Sequence, residues 1–290
     1  MGQERSGAGG GKEFLRVLDE LRTRMAAGDY ALNALLPPQR ELAKEFGVSR
    51  DTLQRALKEL VSEGWIRSTQ GSGSRVIKVQ HIQPVTPRPS MQGRTAMLGP
   101  IIAEAFEQPE VSLDVYTLTS ESLDAHIRVQ AERIRAGQIK PQRITLRMLL
   151  PAEELELPYP RSVEAPDDPR VKARLLAITR RHTASLREVL QELRVQRAVP
   201  HIDLQIRHAP LMPTFKLYML NGSAALHGLY IVTERRIVLE GGEEIDALDV
   251  LGVGATLMHY VADSDPTSTE SVYVATMQSW FDSVWNLLAT

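Results

Sequence analysis

The chain has 290 residues, 43% of them hydrophobic and 24% charged, with 34 Lys/Arg against 36 Asp/Glu, a composition that fits a globular protein and excludes a fibrous or wholly disordered one. It contains no cysteine, so a disulfide framework and any Cys-ligated zinc or iron-sulfur site are excluded. No run of about 18 apolar residues occurs, and the opening MGQERSGAGGGKE lacks the apolar stretch of a signal peptide. A cytoplasmic protein without membrane association is expected.

The length predicts two folding units at roughly 100 to 200 residues each. Residues 1–82 carry 13 Lys/Arg against 10 Asp/Glu, whereas the rest carries 21 against 26, so a slightly basic head precedes an acidic body. Residues 1–11 are Gly-rich and read as a tail. Phe14, Leu15, Val17, Leu18, Leu21 and Met25 then recur at helical spacing, and Gly28 ends that helix. Pro37 and Pro38 stand at the entry of a second helix that runs to Gly47. Ser49 is a natural N-cap for a third, whose inward face is Leu53, Ala56, Leu57 and Leu60, and Gly64 stops it. Segments 65–69 and 75–79 read as strands flanking Gln70-Gly71-Ser72-Gly73, a hairpin tip whose glycines permit positive φ. The order of helices, turn and hairpin predicts a winged helix-turn-helix domain over residues 12–80, an α+β unit that places one helix in a major groove and a wing beside it.

LPPQRELA at 36–43, SRDTLQRAL at 49–57 and QGSGSRV at 70–76 resemble the GntR family of bacterial transcription regulators, whose usual wording is LPSERELA, SRxTVREAL and QGxGTFV. The resemblance implies DNA contact by Arg40, by Ser49, Arg50, Thr52 and Gln54 on the recognition helix, and by Gln70 and Gly71 at the wing tip. Arg55, Gly73 and Arg75 join these candidates from the residues themselves. An arginine in the major groove can pair with guanine O6 and N7, which makes Arg50 and Arg40 the expected base readers, whereas Ser and Thr position the helix on phosphates. Gln54 stands where the family usually has Arg, Arg55 where it has Glu, and Ser74-Arg75 where it has Thr-Phe. Gln can read adenine, so an altered half-site is expected.

Residues 81–100, with four prolines, read as a linker. Residues 101–290 alternate strand-like and helix-like segments and predict an α/β effector and dimerisation body: strands at 111–118, 144–150, 201–207 and 215–220, helices at 120–135, 170–196 and 270–288, and a hairpin or strand pair within 226–239. Segment 151–169 is Pro-rich and acidic and reads as an exposed loop. His182, between arginines, reads as part of a solvated helix face. His208, His227 and His259 lack the spacing of a metal site, and neither a metal nor a cofactor is expected. Trp280, Phe281, Val284, Trp285 and Leu288 fall at helical spacing, as core or as a dimer seam.

TFKLYMLN at 214–221 has the H-x-K-x4-D spacing of phospholipase D-like phosphodiesterases, with Thr214 for His, Lys216 kept and Asn221 for Asp. The resemblance implies a related fold without the phosphoryl-accepting histidine, so no catalysis is expected. Lys216 would suit an anionic effector and Asn221 a neutral group. Tyr116, Thr119 and Arg147, near strand ends of an open α/β sheet, complete the candidate ligand site, with Ser120 as a helix N-cap. The whole predicts a homodimeric, effector-controlled regulator on a roughly palindromic double-stranded operator. The alternatives are a head joined to a phosphodiesterase-type body and a ligand-independent DNA binder.

Overall fold

The computed structural model describes residues 7–31, 33–69, 73–77, 81–84, 96–240, 242–250 and 256–290. The head opens with α1 (Gly7–Ala27), which starts inside the segment expected to be a tail. Once the Phe14–Met25 turns nucleate a helix, adding residues at its end costs little. Val17, Leu18, Leu21 and Met25 form its buried face. In α2 (Gln39–Phe46) Gly47 takes the left-handed conformation at φ 66°, and its N–H reaches the carbonyls of Ala43 and Lys44, so the turn closes without a Cβ penalty. The third helix, α3 (Arg50–Ser62), begins at Ser49, whose hydroxyl accepts the N–H of Thr52 at 3.1 Å. Leu42, Phe46, Leu53, Ala56, Leu57, Leu60 and Trp65 close the head core. The wing strands β1 (Ile66–Thr69) and β2 (Gly73–Val76) pair antiparallel from Ile66 opposite Val76 to Thr69 opposite Gly73.

In chain order the body contains β3 (His81–Pro84), β4 (Ala96–Met97), α4 (Leu98–Ala105), β5 (Glu110–Tyr116), α5 (Glu121–Arg135), β6 (Arg143–Pro151), β7 (Arg161–Ser162), α6 (Pro169–Val195), β8 (His201–Ala209), β9 (Phe215–Leu220), β10 (Ala224–Leu229), β11 (Val232–Val238), β12 (Glu244–Val250), β13 (Leu257–Val261) and α7 (Thr269–Leu287). Eight strands make one mixed sheet in the order β4-β3-β13-β10-β9-β5-β6-β8, and β11-β12-β7 make a second, small one. The parallel run β5-β6-β8 is linked through α5 and α6 in two strand-helix-strand crossovers. Alternation along β5 sorts the faces: Val111, Leu113 and Val115 pack under α4, α5 and α6, while Tyr116 packs under α7. Phe281, Val284 and Trp285 of α7 are buried in that second layer, whereas Leu288 is exposed.

Three expectations for the body are corrected. The linker is partly sheet: β3 pairs in parallel with β13, and β4 with β3, so proline at the end of a near-edge strand did not prevent pairing. The 226–239 segment is no hairpin, because β10 pairs with β9 and β13 while β11 crosses to the small sheet. Segment 151–169 is not simply exposed. Tyr159 and Pro160 are buried, the Tyr159 hydroxyl donates to the Pro213 carbonyl at 2.5 Å, and β7 joins β12.

The head is docked on the body through two helices. One face of α1 lies along α5, whose Ala125 enters the head core, and α3 approaches β11.

Candidate nucleic-acid interface

The two ends of α3 lie in different surroundings. At its N-terminal end Ser49, Arg50 and Gln54 are exposed, as is Arg40 on α2, and the Arg40, Arg50 and Gln54 side chains make no bond to the described chain. Arg75 on β2 is exposed and donates to the Asn33 carbonyl, which ties the wing to the loop before α2. Two sequence candidates lie elsewhere. Thr52 is buried, and its hydroxyl meets that of Ser49 at 2.9 Å, so it serves the cap. Arg55 points along the flank of α3 that faces the body, with its guanidinium 5.0 Å from the Phe14 ring centre, in a groove shared with Arg174, Ile178 and Val238. A residue two positions from an outward one on a helix turns by roughly 200°, and one position by roughly 100°, so Gln54 and Arg55 need not share a face. Gly73 has φ 83°, the left-handed region that favours glycine, while Gln70 and Gly71 lie outside the described residues.

At its C-terminal end α3 is held by buried charge. Glu63 is buried and accepts from Arg22 of α1 through Nε at 2.9 Å and through Nη2, and from Arg181 Nη2 of α6 at 2.6 Å. Burial alone would raise the Glu63 carboxyl, but Arg22 and Arg181 overcome it and hold it at about 2. Arg22 is also bound by Asp19 at 2.8 Å, and Asp19 in turn meets Arg128 of α5. His182 is fully buried rather than solvated: its Nδ1 lies 2.8 Å from Asp124, which also accepts from Ser185. One turn of α6 thus serves two purposes, Arg181 reaching the head and His182 the body. The sequence carried a signal for this that went unread, since Arg22 falls on the apolar stripe of Leu18, Leu21 and Met25.

Glu63, Glu121 and His182 bring one donor atom each within 4.8 Å of one another, so they are the residues that could hold a metal ion. Glu63 is already engaged by two arginines, which makes the cluster an ion-paired clamp rather than a preformed metal cage.

The candidate ligand residues of the body do not converge. Tyr116 is buried against Phe215 and Trp280, at ring-centre distances of 5.1 and 5.0 Å. The Thr119 hydroxyl donates to Glu121 at 3.2 Å. Arg147 lies on the α7 side of the sheet, bonded to Asp114 through two nitrogens at 2.7 and 2.6 Å and to Asp282 at 2.8 Å, with Phe281 and Trp285 beneath it. Thr214 is exposed where β9 begins, while Asn221 occupies the turn after it at φ 50°, accepting from Ser112 N–H and donating to the Ala105 carbonyl. Six residues of strand, roughly 20 Å, separate them. Lys216 is buried on the α5 side, its ammonium 5.8 Å from the Tyr230 ring centre, and burial lowers it to about 8 despite Glu121. The phospholipase-like trio is therefore dispersed. Ser120 precedes α5 but forms no side-chain cap, and its buried hydroxyl has no partner among the described residues.

The cavity that sequence reading missed lies at the C-terminal edge of β5, β6 and β8. It measures about 520 Å³ and is walled by segment 151–169 and by α6. The Leu and Pro alternation of 155–160 was its only sequence signal.

Residues 14–76 match the family model described as bacterial regulatory proteins, gntR family. A transcriptional regulator of the helix-turn-helix type from Rhizobium meliloti is 35% identical over 74 residues, which are 25% of this chain and 30% of that protein. The transcriptional repressor NagR of Bacillus subtilis is 35% identical over 65 residues, covering 22% of this chain and 27% of NagR. The crystallised DNA-binding domain of AraR with its operator is 34% identical over 22% of this chain and 77% of that one, with a TM-score of 0.22. The chain thus spans under a third of the length of these curated relatives. Among the described residues no helix is long and apolar enough to cross a membrane.

Proposed function

We propose that this chain, built on a GntR-family helix-turn-helix head at residues 14–76, is a sequence-specific DNA-binding transcriptional regulator, controlled through its C-terminal α/β body. The observation that carries the reading is the N-terminal end of α3, where Arg50 and Gln54, like Arg40 on α2, are exposed and make no bond to the described chain, while the C-terminal end is held by Glu63. Arg50 and Arg40 read guanine, Gln54 reads adenine, and the wing residue Arg75 meets phosphate. Two copies act on a two-fold operator with half-sites about 34 Å, or a multiple of that, apart. The curated relatives matched by the head are named as transcriptional regulators and repressors, which supports the same class.

Selection of bound sequences from random duplex DNA with the purified protein, followed by footprinting, tests this. A palindromic consensus is expected, with Arg50→Ala losing preference at one half-site position. Equal affinity of the wild-type protein for all sequences would overturn the proposal.

A further inference from the structure

We infer that the cavity between segment 151–169 and α6 is a binding site for an uncharged, predominantly apolar small molecule, and that α6 carries its occupancy to the head. The volume of about 520 Å³ falls within the range of small-molecule sites, and the position, at the carboxyl ends of parallel strands, is where open α/β sheets place ligands. The cavity is a built feature rather than a gap under a loose loop. Segment 151–169 is pinned at one end by Ala152 N–H to the Ala209 carbonyl, at its middle by Tyr159 to Pro213, and near its end by β7 pairing with β12.

The ligand class follows from how the lining charges are spent. Glu153 pairs with Arg180 at 2.5 Å, Glu156 with Lys172 at 2.6 Å, and Asp168 with Arg170 at 2.7 Å. Three of the four acidic residues that line the cavity are thus neutralised by α6 or its first turn, and Asp167 and Arg161 are the charged lining residues outside these pairs. The rest of the wall is mainly apolar, with Leu118, Leu155, Leu157, Leu175 and Leu176 among the lining residues. An ionic ligand would lose its hydration to a wall that is mostly apolar and whose Glu153, Glu156 and Asp168 are already paired, whereas an apolar one gains by contact. This replaces the expectation of an anion held by Lys216, which is buried on another part of the sheet.

The coupling rests on α6 being one helix. Leu175, Leu176 and Thr179 line the cavity, and Arg181, two residues beyond Thr179, grips Glu63 at the end of α3. Rotation or sliding of α6 by a ligand therefore acts on the Arg181–Glu63 contact without any intervening joint. This second part depends on the regulator reading; the binding site itself does not.

The test uses N-phenyl-1-naphthylamine, a neutral fluorophore that brightens in apolar surroundings, and its sulfonated counterpart 1-anilinonaphthalene-8-sulfonate, on the full-length protein without DNA. Saturable one-site binding of the neutral probe is expected with Kd on the order of 100 µM or tighter, and about tenfold weaker binding of the sulfonate. Leu176→Lys, at a half-exposed position in the wall, should weaken the neutral probe at least about tenfold, while Val272→Lys, at an exposed apolar position on α7 on the other face of the sheet, leaves it unchanged. Equal or tighter binding of the sulfonate, or loss of signal in Val272→Lys rather than Leu176→Lys, overturns the site. Saturating neutral probe should change operator affinity about fivefold or more in wild type and not in Leu176→Lys. Unchanged affinity in wild type overturns the coupling while leaving the site, and a protein that binds probe but selects no operator sinks only the regulator reading.

Discussion

The N-terminal end of α3 presents Arg50 and Gln54 to solvent with no partner in the described chain, while its C-terminal end places Glu63 between Arg22 and Arg181 out of solvent. One end keeps its hydrogen-bonding capacity open for another molecule; the other has consumed it inside the protein. A charge that serves recognition must be free and cheaply hydrated until its target arrives, whereas a charge that fixes geometry must be buried with its counter-charge in place. The difference sets apart two arginines on neighbouring elements of one small domain, Arg50 open to solvent and Arg22 buried against its counter-charge. Docking takes the flank of Arg55 and the end at Glu63 and leaves Arg40, Arg50 and Gln54 exposed.

The strongest way to break the contrast is at the buried end. Glu63→Gln leaves Arg22 and Arg181 facing each other without a carboxylate, and a loss of about 3 to 5 kcal/mol in stability is expected, read by urea unfolding. Because folding holds Glu63 near 2, its contribution is complete above the ordinary carboxylate value of about 4.3 and is lost as pH falls toward 2. The acid limb of the stability curve between those values should therefore be flatter in the variant. At the open end Arg50→Ala should do the converse: operator affinity about 10- to 100-fold lower by titration, with thermal stability almost unmoved.

Two smaller effects sharpen the comparison. Lys216 is buried, and burial lowers it to about 8. Its unfolded value near 10.4 means that the unfolded chain binds more protons between those limits, so wild-type stability should rise from pH 8 to 10. Lys216→Met should abolish that rise, as followed by chemical denaturation across pH. Ser49→Ala removes the cap of α3 and should cost about 1 kcal/mol; a larger loss of operator binding than of stability would show that the hydroxyl also serves DNA.

Head and body differed in how far their sequences could be read. In the head, local rules agreed with one another: Gly47 at a left-handed turn, Ser49 as a cap and an apolar stripe at each helical period led to elements that the structure reproduces within a few residues. In the body the strands and helices of 110–220 were legible from alternation and period, but β12 and β13 were not, because EIDALDV and LMHYV alternate weakly and draw their stability from partners far along the chain. The candidate ligand residues do not converge for a related reason. Spacing along β9 says which side of the sheet a residue occupies, not which elements will cover it, and Asn221 and Arg147 proved to be committed to a turn and to α7. His182 was misread because its neighbours Arg180 and Arg181 suggested solvent, although a helix turns by roughly 100° per residue and a buried position can sit directly beside an exposed one.

The pairing of β3 with β13 has a mechanical outcome. Only four residues lie between Val76, the last of the wing, and His81, the first of the body sheet, so the chain between them can reach at most about 18 Å even when fully stretched. A tether that short lets the head pivot but not roam. In the proposed two-copy regulator, the distance between the two α3 helices is then dictated by how the bodies are juxtaposed, and a tilt of one body against its mate becomes a change of step along the duplex.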